Sequence, residues 1–238
     1  MATDLRFYNP REFEDPLLVM TPEYLIALFK EEDAVWFYEG EPSADRPHAE
    51  LTSGLCSDGF IDCLRILRYP NIAEILGLQL ARRLRKSGIG KVDWVVSSSY
   101  AAITFGHEVA KALQAVFMLA EKDPSDPQGK KMVWRRMTIP ESARILQVEE
   151  LITTSGTFQE VRRAVEEGNV VKPVDFVSEV AALVHRPARL PIEYDGRRVV
   201  ALLERAIENF DPAVCPYCKA GSPRYRPKTH WKELTGTS

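Results

Sequence analysis

Glu149-Glu150-Leu151-Ile152-Thr153-Thr154-Ser155-Gly156-Thr157 sets two carboxylates, two aliphatic side chains and a hydroxyl- and glycine-containing turn side by side. A turn of that kind at the start of a helix aims several backbone N–H groups, and the positive end of the helix dipole, at one spot. That arrangement suits a phosphate. Adjacent carboxylates suit sugar hydroxyls or a hydrated magnesium ion. Phosphate, sugar and metal together describe a phosphorylated ribose. The competing reading is an ordinary strand–turn–helix in which a threonine caps the helix and both glutamates are solvated.

For that chemistry the acids must stand at the end of a strand and the turn must open a helix. Arg144 to Val148 predicts a buried strand, and Phe158 to Gly168 a helix with Val161 and Val165 four apart. A second helix is expected over Asn71 to Lys86, where Ile72, Ile75, Leu76, Leu80 and Leu84 share a face and Gly88 follows. Strands are expected at Val92–Ser97, Ala115–Ala120, Val174–Val184 and Val199–Leu203, with a helix over Tyr100–Gln114. Strands alternating with helices mean an α/β fold: a parallel sheet with right-handed crossovers, flanked by helices.

The chain divides into a small N-terminal cover (1–50), a main domain (51–210) and a short C-terminal tail (211–238). The cover has a helix over Pro22 to Glu31, capped by Thr21, and a loop from Glu39 to Pro47. Glu121 to Lys131 is polar throughout apart from its prolines, which fits either a mobile lid whose lysines approach a diphosphate or a plain hairpin tip. A net charge of −3 with no long basic run argues against a nucleic-acid surface. No stretch approaches the apolar length of a membrane span, and the start lacks a signal-peptide core. Four cysteines are too few for a disulfide scaffold at this length, so a reducing cytoplasm is expected.

The nonamer resembles the phosphoribosyl-diphosphate (PRPP) signature of type I phosphoribosyltransferases. Glu150 stands where that family usually has Asp, and Ser155 where it usually has Gly. The resemblance runs from about Leu51 to Trp231. Ser53-Gly54-Leu55-Cys56-Ser57-Asp58-Gly59-Phe60 is similar to a segment that forms part of the base pocket in orotate phosphoribosyltransferases, with Thr52 and Cys56 replacing residues that are often cationic. Ser97 to Ile103 corresponds to the diphosphate turn, its glycines replaced by Ser and Ala. Ala120-Glu121-Lys122 and Trp134-Arg135-Arg136 resemble the flanks of the catalytic loop. Cys215-Pro216-Tyr217-Cys218 followed by Pro227-Lys228 resembles a tail seen in many bacterial members of the orotate branch.

The resemblance implies transfer of the phosphoribosyl group of PRPP to a pyrimidine base, orotate favoured, with Mg²⁺ carried by PRPP and not ligated directly by the protein. It implies catalytic roles for Lys122, Glu149 and Glu150. PRPP would be held by Glu149 to Thr157 (including Leu151, Ile152, Thr153, Thr154, Ser155 and Gly156) with Ser99, Tyr100 and Lys122. The base would meet Thr153, Arg186 and Phe60, Arg186 taking the substrate carboxylate through its planar fork. A homodimer is implied as well. Other readings are a related enzyme acting on a different base, a PRPP- or nucleotide-sensing regulator without chemistry, and a zinc-dependent module. On the last, a lone C-x-x-C offers two ligands where structural zinc wants four, with His230 the nearest further candidate; a tail with two reduced thiols is expected. His48, His107 and His185 read as ordinary structural histidines.

Overall fold

The long apolar-faced helix near the middle of the chain organises one side of the fold, and a parallel sheet supplies its partner. The computed structural model describes residues 5–15, 18–190, 193–194 and 196–236. After two short 3₁₀ turns come α1 (Pro22–Glu31), β1 (Val35–Phe37), β2 (His48–Glu50), β3 (Cys56–Ser57), β4 (Gly59–Ile61), α2 (Leu64–Leu67) and α3 (Pro70–Ser87). The αβ core follows as β5 (Trp94–Ser97), α4 (Ala102–Leu113), β6 (Val116–Leu119), β7 (Glu121–Lys122), β8 (Met132–Val133), β9 (Arg144–Ile152), α5 (Gly156–Gly168), β10 (Asp175–His185) and β11 (Val199–Glu204). The chain closes with β12 (Asn209–Phe210), α6 (Pro216–Lys219), β13 (Arg224–Tyr225) and α7 (Trp231–Thr235).

Five strands form an all-parallel sheet in the order β11-β10-β9-β5-β6. α3 and α4 cover one face, where Ile72, Ile75, Leu76, Leu80 and Phe105 pack with Val95, Leu146, Val148, Ala181 and Leu183. α5 covers the other, with Val161 and Val165 on Val96 and Ile145, and Phe158 on Ile152, Val180 and Ala182. Close approach decides two glycines. A Cβ on Gly77 would lie 2.7 Å from the Glu108 side chain, so glycine lets α3 and α4 meet. A Cβ on Gly168 would lie 2.4 Å from the Trp134 carbonyl oxygen, so glycine lets α5 end beneath the strand β8 and its continuation.

A second layer is built from small sheets. β1 pairs with β4, and a four-stranded sheet runs β12-β3-β2-β13. The latter draws its strands from all three segments set out above. Among the described residues, no helix is long and apolar enough to cross a membrane.

Several expected boundaries shift. α1 matches, with Thr21 Oγ1 accepting from the Tyr24 N–H at 3.3 Å. α4 starts at Ala102, not Tyr100, and α5 starts at Gly156, two residues ahead of Phe158. The largest change is in β9, which continues past Val148 to Ile152 because β10 pairs with it as far as His185↔Ile152. Glu149 and Glu150 therefore fall within the last four residues of β9, at the strand end expected of them, with the strand running on past them to Ile152.

Candidate active site

Where β5 and β9 lie side by side, the chain winds away from them in opposite directions, and such a switch point leaves a crevice at the carboxyl ends of the strands. Both chemistry-bearing loops leave from there: Ser98 to Ala101 after β5, and Thr153 to Ser155 after β9. Two cavities flank them.

The first, about 550 Å³, is lined by Glu150, Leu151, Arg186, Phe60, Thr52 and Ser53, and by Arg226, Lys228 and Thr229 of the tail. Arg186 follows β10, and its backbone N–H donates to the Ile152 carbonyl at 2.8 Å, which fixes where the side chain sets out. Its Nε and Nη1 are buried and have no hydrogen-bond partner. Burial pulls the pKa of the guanidinium down from its ordinary value. Unpaired buried donors on a charged group are costly, so this fork is arranged for an anion. The Glu150 carboxyl is pushed up by burial. The tail supplies Arg226, held by Glu50 at 3.0 Å, and Lys228, so cations stand on this wall although Thr52 and Cys56 are neutral.

The second cavity, about 810 Å³, joins Thr154, Gly156 and Thr157 of the phosphate-type turn to Lys122, Lys130 and Lys131. The polar stretch 121–131 is a built hairpin. β7 and β8 pair antiparallel, and Asp126 accepts from the N–H groups of Gln128, Lys130 and Lys131 at 3.0, 2.7 and 2.7 Å. Asp123 accepts from the Ser125 N–H at 3.0 Å and hydroxyl at 2.7 Å, and these bonds hold its carboxyl down at about 2. Glu160 and Arg163 of α5 clamp the hairpin: the Met132 N–H donates to Glu160 at 2.9 Å, and Arg163 donates to the Met132 carbonyl at 3.0 Å. Lys122 donates to the Gly129 carbonyl at 2.6 Å, inside its own hairpin.

Neighbouring residues of a strand point to opposite sides, and the acidic pair obeys this. Glu150 lines the first cavity, whereas Glu149 is buried and lines neither. The Ser98 hydroxyl donates to Glu149 Oε2 at 2.5 Å, and the Gln147 amide to Oε1 at 2.9 Å. Burial raises the Glu149 carboxyl to about 7, against the lowering effect of those two donors. Glu149 thus ties β9 to the loop after β5. Serine at 155 fits without strain, its φ being −75°.

The other expected residues fall as follows. Phe60 lines the first cavity, edge-on to Trp231 at 6.2 Å, while Thr153 lines neither cavity. Ser99 is buried against Met132, and Tyr100 is 76 % exposed; neither lines a cavity, and Ala101 does. Ile152 is core. His185 is satisfied by Glu204 and Tyr194, as expected of a structural histidine. Gln147, Glu160, Arg163 and Arg226 carry positioning and charge that the sequence did not single out, while Ser98 of the expected diphosphate turn and Lys228 of the tail take contacts the sequence did not specify.

No protein-family model matches the chain. It is 30% identical over 216 residues to the orotate phosphoribosyltransferase of Caldicellulosiruptor bescii, an alignment covering 90% of this chain and 100% of that protein. The chain belongs to the orotate phosphoribosyltransferase family. The enzyme of that name from Pelotomaculum thermopropionicum is 30% identical over 208 residues, 87% of this chain and 97% of its own. In fold, the chain is similar to the crystal structure of orotate phosphoribosyltransferase from Aeropyrum pernix, with a TM-score of 0.50, 19% identity, and coverage of 76% of this chain and 93% of that one. That likeness places the architecture among type I phosphoribosyltransferases.

Proposed function

We propose that the protein transfers the phosphoribosyl group of PRPP to orotate, giving orotidine 5′-monophosphate and diphosphate in pyrimidine nucleotide synthesis. The observation that carries this reading is the Arg186 fork, buried, unpaired and facing a cavity that Glu150 also lines. A carboxylated pyrimidine meets that fork with two parallel N–H···O bonds. Phe60 offers a ring to the base. Glu150 accepts from ribose hydroxyls, and the backbone N–H groups at the start of α5 receive the 5-phosphate. Lys122, Lys130 and Lys131 face the side where diphosphate departs.

In the reaction the C1–O bond to diphosphate breaks as a C1–N bond forms to the pyrimidine ring nitrogen, whose proton is lost. The ribose becomes cation-like and the leaving group gains charge, so the protein's tasks are orientation, electrostatic stabilisation and exclusion of water. Lys122 lines the second cavity and would neutralise the departing diphosphate on giving up its bond to the Gly129 carbonyl. Glu149 acts as a positioning residue through Ser98. The site fits a magnesium ion brought in by PRPP and not ligated directly by the protein, because Glu150, a carboxylate free of ion pairs among the described residues, faces the substrate cavity and would add negative charge beside the bound ribose. When bound with PRPP, magnesium supplies charge neutralisation at the diphosphate. A homodimer in a reducing cytoplasm completes the reading, the latter supported by four free cysteines.

Diphosphate release with PRPP and Mg²⁺ across a panel of bases tests it. Orotate should be turned over far faster than uracil or any purine; equal or better turnover of another base would move the chain to a different acceptor.

A further inference from the structure

Away from the active site, four side chains from distant parts of the chain converge on one point. They are His48 of β2, Cys56 of β3, Cys215 immediately before α6 and Cys218 within it. One nitrogen and three sulfurs lie within 4.8 Å of one another. Cys56 Sγ is 3.5 Å from Cys218 Sγ, and His48 Nε2 is 3.5 Å from Cys218 Sγ and 3.8 Å from Cys215 Sγ. A zinc ion with bonds of about 2.3 Å to sulfur and about 2.1 Å to nitrogen, at tetrahedral angles, sets S···S edges near 3.8 Å and S···N edges near 3.6 Å. The three spacings given, 3.5 to 3.8 Å, lie close to those edges, and no pair in the cluster exceeds 4.8 Å. They do not match a disulfide, whose sulfurs lie about 2.05 Å apart.

The surroundings are those of a ligand set and not of four stray polar groups. The Ser222 hydroxyl donates to the Arg46 carbonyl at 2.6 Å, so its oxygen is left to accept from His48 Nδ1–H at 2.7 Å. That bond fixes the imidazole tautomer with a bare Nε2 facing the sulfurs, as metal-bound histidines require. His48, Cys56 and Cys215 are buried, and Tyr38, Phe210 and Tyr217 pack around the cluster. Three thiolates and one Zn²⁺ carry a net charge of −1. Arg224, whose guanidinium lies against the Cys56 sulfur, offsets it. His230, the expected further candidate, is elsewhere, stacked on Tyr225.

We propose that His48, Cys56, Cys215 and Cys218 bind one zinc ion in a closed tetrahedral site that fastens the C-terminal tail to the β2–β3 hairpin. With four protein ligands the site has no open position, so its role is structural. Its place in the fold says what it holds. The β2–β3 loop brings Thr52 and Ser53 to the first cavity, and the chain after α6 brings Arg226 and Lys228 to the same wall. One ion thus braces two sides of that cavity from behind.

The test uses the full chain, purified from zinc-supplemented medium without a chelator or a metal-affinity step. Elemental analysis should give one zinc per chain. Cobalt exchanged into the site should show tetrahedral d–d bands and thiolate-to-cobalt charge transfer from three sulfurs, falling to two in Cys215→Ser. His48→Cys keeps four ligands and should retain the metal, which reads the site even if the serine variant misfolds. Excess chelator should lower the melting temperature of wild type and open all three cluster thiols to a thiol reagent. Wild-type protein free of zinc, a disulfide between any of these cysteines, or full zinc occupancy in His48→Ala with an unchanged cobalt spectrum would each overturn the site. Neither turnover nor the identity of the base enters these readouts.

Discussion

Replacing Glu149 by Gln removes the one carboxyl that the site buries completely, and the consequence is legible in the pH dependence of stability. Burial lifts this group from 4.5 to about 7. Between those values the folded chain keeps a proton that the unfolded chain has lost. Stability from this group is therefore full below about pH 4.5, declines as pH rises, and levels off above about pH 7. Integrated from pH 5 to pH 8, the wild-type decline attributable to Glu149 is on the order of 2–3 kcal/mol. An amide keeps an acceptor for Ser98 and has no proton to lose, so the variant escapes that decline. Urea unfolding of both proteins without ligand, at intervals across this range, reads the difference directly. The variant should gain roughly 2–3 kcal/mol on wild type between the two ends, a midpoint shift on the order of 1 M urea for a chain of this size. Parallel curves, with the gap between the proteins constant across the range, would refute the buried, proton-holding carboxyl.

Glu150→Gln should weaken PRPP binding at least tenfold by calorimetry, because each charge-assisted bond to a ribose hydroxyl contributes about 1.5–3 kcal/mol; unchanged affinity would take Glu150 out of the site. Lys122→Ala should lower kcat about a hundredfold, the scale of one preorganised electrostatic contact, with a smaller effect on KM; a change in KM alone would shift the role to Lys130 or Lys131. Gly168→Ala must push a Cβ against the Trp134 carbonyl, and should cost about 1–3 kcal/mol in thermal or urea unfolding.

The parts of the fold legible in the sequence are those written in periodicity. Ile72 to Leu84 repeat along one face and become α3; Val161 and Val165 become the buried face of α5. The nonamer was legible because its chemistry is local: acids, turn and helix start adjoin in the chain. Its geometry was not. β9 runs four residues beyond Val148 because β10 pairs with it that far, and pairing partners are not written in either strand alone. For the same reason Gln147 was invisible, and Ser98, though part of the expected diphosphate turn, gave no sign that it would bond Glu149. A glutamine in a strand and a serine after one look unremarkable until β5 and β9 become neighbours and both donate to Glu149. The stretch 121–131 looked structureless because its order comes from Asp123 and Asp126 bonding backbone N–H groups, which apolar patterning does not register. The tail's cations and the His48–Cys56–Cys215–Cys218 convergence depend on contacts across more than 150 residues.

The most direct test of the central claim compares Arg186 with Arg186→Met using orotate and uracil as acceptors. With Arg186 as the partner of the substrate carboxylate, the substitution leaves a buried charge unpaired, costing about 3–5 kcal/mol, so kcat/KM for orotate should fall at least a hundredfold. PRPP affinity should stay nearly unchanged, and uracil, lacking the carboxylate, should be a poor acceptor for both proteins. Full orotate turnover by Arg186→Met, or wild-type turnover of uracil equal to that of orotate, would contradict it.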